Sequence, residues 1–166
     1  MERFAIGVSA SAIAQIVRAA RHAFPAEACG GLFGQSTTVP SPAGPQIVEA
    51  RPTPNRAGTL PGERYFIPPA DVLGLERAAA KEQMELLGFF HSHPGSTATP
   101  SERDRAAAFP GYLYAILPLE RGRTGPMRIY LTSDIETPFI EQKWIRVPRN
   151  GVTFASVSEP CAAGVD

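Results

Sequence analysis

Cysteine is scarce in this chain: Cys29 and Cys161 are the only two among 166 residues. Two cannot build the disulfide framework of a small secreted domain, and they lack the paired spacing of a thiolate zinc site, so a reducing cytoplasm is the expected location. An excess of either charge is missing too, since 16 Lys and Arg balance 16 Asp and Glu. Without a run of about five like charges there is no electrostatic footprint for nucleic acid or anionic lipid, and neither is expected as a partner. Long apolar runs are also absent. Nothing approaches the roughly 18 residues of a membrane span, and Met1–Ala5 leads into a polar-interrupted segment and not into a signal core. Histidine numbers only three, which makes the placement of each informative.

What is present suffices for one core. At 166 residues and 43% hydrophobic, one domain is expected over residues 1–147, with a frayed tail at 148–166. Residues 9–24 place Ile13, Ile16, Val17, Ala20 and Phe24 at helical spacing, with Ser9 or Ser11 as N-cap and Pro25 as the stop. Residues 27–34 set apolar side chains among glycines, predicting a short buried strand with a closely approaching neighbour and Glu27 at its entrance. Residues 36–64 are proline-rich and predict a loop-rich excursion around one strand at 46–51. A helix follows from Pro69 to about Gln83, with Val72, Leu75 and Ala79 as its buried stripe. Gly88-Phe89-Phe90 and the residues after it favour a central strand ending at Pro94, and Met84–Leu87 fit helix or strand. Strands are predicted at 112–117, 127–132 and 139–147, the last as one alternating stretch. This order makes the fold α/β or α+β, a sheet flanked by helices.

Two of the three histidines form His91-Ser92-His93. On a strand, alternate side chains share a face, so His91 and His93 can grip one ion while Ser92 points the other way to pack or hydrogen-bond. Seven residues on, Pro100-Ser101-Glu102-Arg103-Asp104 has capping-box spacing, so Ser101 caps a helix reaching about Phe109 with Asp104 in its first turn. Two imidazoles and one carboxylate make a three-ligand zinc set that keeps a fourth position for water. Taken singly, each piece has a plainer explanation: paired imidazoles, an ordinary helix cap, a turn glutamate. Their conjunction favours the metal site. His22 is a solvated helix residue and takes no role, Cys29 is a small core residue, and Asn55 serves a turn or touches substrate.

Glu27 followed by His91-Ser92-His93, seven residues, Ser101, two residues and Asp104 resembles the full signature of the JAMM (MPN-plus) zinc metalloproteases, which include deubiquitinating enzymes. The Glu-Ala-Cys-Gly-Gly stretch at 27–31, Pro54-Asn55, residues 64–68 and His93-Pro94-Gly95 are similar to those of the small prokaryotic members, and the likeness covers roughly residues 4–147. The resemblance implies a curved mixed sheet sandwiched between helices, related in architecture to the cytidine deaminases. It also implies one zinc ion per chain on His91, His93 and Asp104, with Glu27 as general acid–base and Ser101 hydrogen-bonding the oxyanion. The implied partner is a ubiquitin-like protein ending in Gly-Gly, of the sulfur-carrier type, joined to cysteine, a short extension or a lysine. The oligomeric state stays open, a homodimer included. Only seven residues separate Phe109 from Leu117, too few for the long second insertion of polyubiquitin-cleaving relatives. The excursion at 36–64 is expected to wall the substrate path.

Rival readings are a silent MPN interaction module, and an isopeptidase of the deubiquitinase kind acting on protein conjugates. A nucleobase deaminase is excluded because His-x-Glu and Pro-Cys-x-x-Cys are both missing. A serine hydrolase is excluded because no Gly-x-Ser-x-Gly surrounds Ser92.

Overall fold

A computed structural model of the chain describes residues 5–36, 44–59, 61–95, 97–132 and 139–148. The expected tail, Pro148 apart, lies outside the described residues, as do Cys161 and residues 37–43 of the excursion. Strand β1 (Ile6–Ser9) leads directly into helix α1 (Ala10–Ala23). Of the two candidate caps Ser9 is the one used, its hydroxyl accepting the Ala12 N–H at 3.0 Å. Strands β2 (Cys29–Gln35) and β3 (Gln46–Thr53) form an antiparallel pair. The glycines of β2 mark the expected close approach, because a methyl group at Gly30 would strike the Arg51 carbonyl of β3. Helix α2 (Pro69–Lys81) precedes β4 (Glu85–Pro94), so the ambiguous stretch before Gly88 is strand from Glu85 onward. Helix α3 (Glu102–Ala107) stops short of the exposed Phe109, and β5 (Leu113–Glu120) runs three residues beyond the expected Leu117.

The remaining strands are β6 (Arg123–Thr124), β7 (Arg128–Leu131), β8 (Ile140–Gln142) and β9 (Trp144–Val147). They complete one mixed sheet in the order β8-β7-β5-β4-β2-β3-β1-β9, with β6 paired to β5. The single strand expected at 139–147 is two. β8 pairs with β7 at one edge of the sheet, while β9 lies parallel to β1 at the other. Lys143 alone separates them, so the sheet curls until its edges nearly meet. The Ile6 N–H bonds the Lys143 carbonyl at 2.9 Å, and the Trp144 indole N–H reaches the Met127 carbonyl at 3.2 Å. Alternation of apolar and polar residues cannot reveal such a change of partner, because the period is the same on both sides of it.

The concave face holds α1. Ala12, Ile16 and Ala20 pack there with Val8, Leu32, Ile47, Phe90 and Ile129. Phe24, assigned to the buried stripe by spacing, is 44% exposed because the helix has ended at Ala23. The convex face takes α2, whose Leu75 and Ala79 join Phe33, Phe89, Tyr114 and Ile116. With a helix on each face and apolar side chains packed on both, the fold is α/β with a curved mixed sheet between helices. Among the described residues no helix is long and apolar enough to cross a membrane.

Candidate metal centre

β4 is flanked by β2 and β5 and is therefore a central strand, which carries His91 and His93 at its C-terminal end. α3 begins after Ser101, whose hydroxyl accepts the Asp104 N–H at 3.1 Å while the Asp104 carboxylate accepts the Ser101 N–H at 2.6 Å. This reciprocal cap turns Asp104 inward, and Asp104 is buried although every other residue from 101 to 107 is exposed.

Donor atoms of three residues converge, the carboxylate turning one oxygen to each imidazole. His91 Nε2 lies 3.0 Å from His93 Nε2 and 3.3 Å from Asp104 Oδ1, and His93 Nε2 lies 3.4 Å from Asp104 Oδ2. A tetrahedral zinc ion with bonds of about 2.0–2.1 Å sets its ligands about 3.3 Å apart, so the trio fits that ion. The nitrogens face it correctly. His93 Nδ1 lies 3.1 Å from the Thr97 carbonyl, which takes its N–H and leaves Nε2 as the lone-pair nitrogen. Burial pushes the Asp104 carboxyl up, but the adjoining His91 and His93 imidazoles and the Ser101 cap outweigh it and hold the group well below the usual carboxylate range. Burial likewise pulls His91 below its ordinary value, favouring the neutral imidazole that a metal requires.

Glu27 arrives from the neighbouring strand. β2 and β4 pair antiparallel with Cys29 opposite His91, and Ser92 extends that register by one step. Its N–H donates to the Ala28 carbonyl at 3.0 Å and its hydroxyl accepts the Ala28 N–H at 2.9 Å. One more step puts Glu27 opposite His93, on the face shared by both imidazoles. Ser92 is thus a hydrogen-bonding residue on the far face, as expected, and its partner is the residue beside the glutamate. Glu27 is buried and its Oε2 has no hydrogen-bond partner among the described residues. Burial, with a smaller push from Asp104 and a smaller pull from His93, raises its carboxyl to about 7. A carboxylate that is near the imidazoles, outside the converged trio and half-protonated near neutrality is suited to moving protons.

The other candidates resolve. Cys29 is buried, its thiol 3.7 Å from the Thr53 carbonyl, and burial followed by the charge of Glu27 pushes it up to about 12, which makes it inert. His22 is exposed on α1. Asn55 organises the loop between β3 and α2: its Oδ1 accepts the N–H groups of Ala57 and Phe66 at 3.0 and 3.1 Å, and its Nδ2 donates to the Glu27 and Arg64 carbonyls, each at 3.1 Å. Tyr65, to which sequence reasoning assigned no role, lies on the His91 ring with centroids 4.4 Å apart and planes 24° from parallel. Its signals were a place in an aromatic stretch of the loop and the family likeness of residues 64–68. Tyr65, Phe66 and Arg56 form one wall of a cleft of about 500 Å³, and Arg103, Asp104 and Ala107 of the α3 region form the other. The part of the excursion that walls the site is therefore its end, continuing to Phe66.

The geometry has counterparts among known proteins. Residues 9–131, which include all five signature positions, match the prokaryotic homologs of the JAB domain. Desampylase of Haloferax volcanii is 36% identical over 93 residues, 55% of this chain and 62% of its own, so the chain matches somewhat under two thirds of that curated relative. A protein of Desulfitobacterium hafniense superimposes with a TM-score of 0.72 at 26% identity, covering 86% of this chain and 93% of its own. A JAB1/MPN domain protein of Archaeoglobus fulgidus shares the fold with a TM-score of 0.50 at 19% identity, covering 84% and 98%. With its family match spanning most of its length and including the His-x-His, the capped aspartate and the glutamate across the ladder, this chain belongs to the prokaryotic JAB (JAMM/MPN) domain family.

Proposed function

We propose that this chain is a zinc-dependent peptidase and isopeptidase that hydrolyses the bond after the C-terminal Gly-Gly of a ubiquitin-like protein of the sulfur-carrier type, with one zinc ion per chain. The observation that carries this reading is a buried Glu27, its Oε2 without a partner among the described residues, standing across one strand pair from a converged His91–His93–Asp104 trio. The likeness to Desampylase supports an isopeptidase acting on a ubiquitin-like modifier.

A zinc ion held by the trio would supply Lewis acidity at the scissile carbonyl and lower the pKa of water to about 7. Glu27 takes a proton from the attacking water as the C–O bond forms, then delivers it to the leaving amine as the C–N bond breaks. Ser101 uses its oxygen to accept the Asp104 N–H, which leaves the hydroxyl hydrogen to donate to the developing oxyanion. His93, held at Nδ1 by Thr97, and Asp104, held by its cap, keep their positions throughout. A tail of glycines laid along the cleft presents no side chain to either wall. The short connection from Ala107 to Leu113 leaves no second insertion, which argues against linkage-selective polyubiquitin cleavage.

The test is to incubate the purified protein with a carrier carrying one residue fused after its glycines, with and without chelator, and to weigh the products by mass spectrometry. Chelator stops cleavage, Glu27→Gln keeps zinc but does not cleave, and His93→Ala loses both. Undiminished cleavage by Glu27→Gln would remove the assigned proton carrier. Less than about one zinc per chain in the wild type would return the domain to a silent interaction module.

A further inference from the structure

The two converging imidazoles are held by different means. His93 donates its second ring nitrogen to the Thr97 carbonyl, the arrangement that ordinarily orients a metal-ligating histidine. His91 has no such bond: its Nδ1 is buried without a hydrogen-bond partner among the described residues. What His91 has is a ring on its face. Tyr65 stacks on it at 4.4 Å and 24°, an arrangement that fixes the plane of an imidazole without a hydrogen bond. Tyr65 stands on neither a strand nor a helix. Its sequence neighbours are secured by one side chain, since Asn55 accepts the Phe66 N–H and donates to the Arg64 carbonyl. The same amide grips the Glu27 carbonyl, so one residue ties the tyrosine loop to the glutamate strand.

We propose that Tyr65 is a positioning residue for His91, its stacked ring orienting the imidazole where a second-nitrogen hydrogen bond would ordinarily do so, so that metal capture is coupled to the order of the Asn55-clasped loop. The inference rests on the trio being a zinc centre. Coupling of this kind is reciprocal: if the ordered loop tightens zinc, zinc must order the loop to the same extent.

The experiment measures zinc dissociation constants by chelator competition for the full chain and for Tyr65→Phe, Tyr65→Leu and Tyr65→Ala, with circular dichroism to confirm folding. Tyr65→Phe keeps the stacking ring and stays within about threefold of wild type. Tyr65→Leu and Tyr65→Ala lose it and bind about 10- to 100-fold more weakly. Amide hydrogen exchange supplies a readout that a merely structural role would not move: zinc slows exchange at residues 55–57 and 64–67 in the wild type and fails to do so in Tyr65→Leu. Wild-type affinity in Tyr65→Leu overturns the proposal even if Tyr65→Ala does not fold, and so does a loss in Tyr65→Phe as large as that in Tyr65→Leu. A wild type that binds no zinc overturns the zinc reading itself, a result distinct from zinc binding that ignores Tyr65.

Discussion

On one side of the site the polar groups stand on regular structure: His91 and His93 on a central strand, Asp104 in the first turn of a capped helix. On the other side Tyr65 and Phe66 stand on a loop clasped by the five hydrogen bonds of Asn55. The first wall inherits its geometry from backbone ladders that extend far beyond the site, and the second rests on the Asn55 side chain and two backbone bonds, Arg56 N–H to the Phe66 carbonyl at 3.0 Å and Glu27 N–H to the Pro61 carbonyl at 2.6 Å. Errors in the first wall should therefore abolish the proposed chemistry with the fold intact, whereas errors in the loop wall should cost stability and metal affinity together.

Ser101→Ala gives the largest expected effect among substitutions that spare both the metal trio and Glu27. Removing an oxyanion donor lowers kcat by about 10²- to 10³-fold, while loss of the cap costs about 1 kcal/mol of stability. Zinc stoichiometry and kcat measured together check it, and loss of zinc would show that the cap and not the oxyanion contact is what Ser101 provides. Asn55→Ala removes the clasp from the other wall and is expected to destabilise the protein by about 2 kcal/mol, since partly buried backbone groups lose their partners. Its denaturant midpoint should fall and its zinc affinity with it. Unchanged zinc affinity would uncouple the two walls.

Acidity separates the walls more subtly. Glu27 is raised to about 7 in the folded protein by burial and Asp104, against His93, from an unfolded value of 4.5. The folded state therefore prefers the neutral carboxyl, and this contribution is fully present below pH 4.5 and lost as pH rises through about 7. In the presence of chelator, wild type should lose stability relative to Glu27→Gln across that window and hold a constant difference above it. Chelator is needed because a bound cation favours the carboxylate. A pH-independent difference would place Glu27 in water. The smallest effect belongs to the ion pair that spans the walls, Arg103 to Glu63 at 3.8 Å, with side chains 60% and 64% exposed. Arg103→Ala should change stability by no more than about 0.5 kcal/mol in thermal unfolding.

How much could be read beforehand follows the same division. α1, β2 and the end of β4 announce themselves by spacing and punctuation, and the capped Asp104 by its motif. β1 was not recognised, because four residues leading straight into a helix carry too little pattern. The break at Lys143 was invisible because β8 and β9 continue one alternation while pairing with strands at opposite edges. The partners of Asn55 and Ser92 were equally hidden, since a polar side chain states its capacity for hydrogen bonds and not their address.

Chain order alone settled that two imidazoles share a strand face and that an aspartate sits in a capped first turn, because each depends on residues no more than three positions apart. Only the folded structure decided that the ladder between β2 and β4 brings Glu27 opposite His93, and that a loop lays Tyr65 on His91. Those contacts join residues 66 and 26 positions apart. Strand register and loop course determine them, and both follow from the packing of the whole curved sheet.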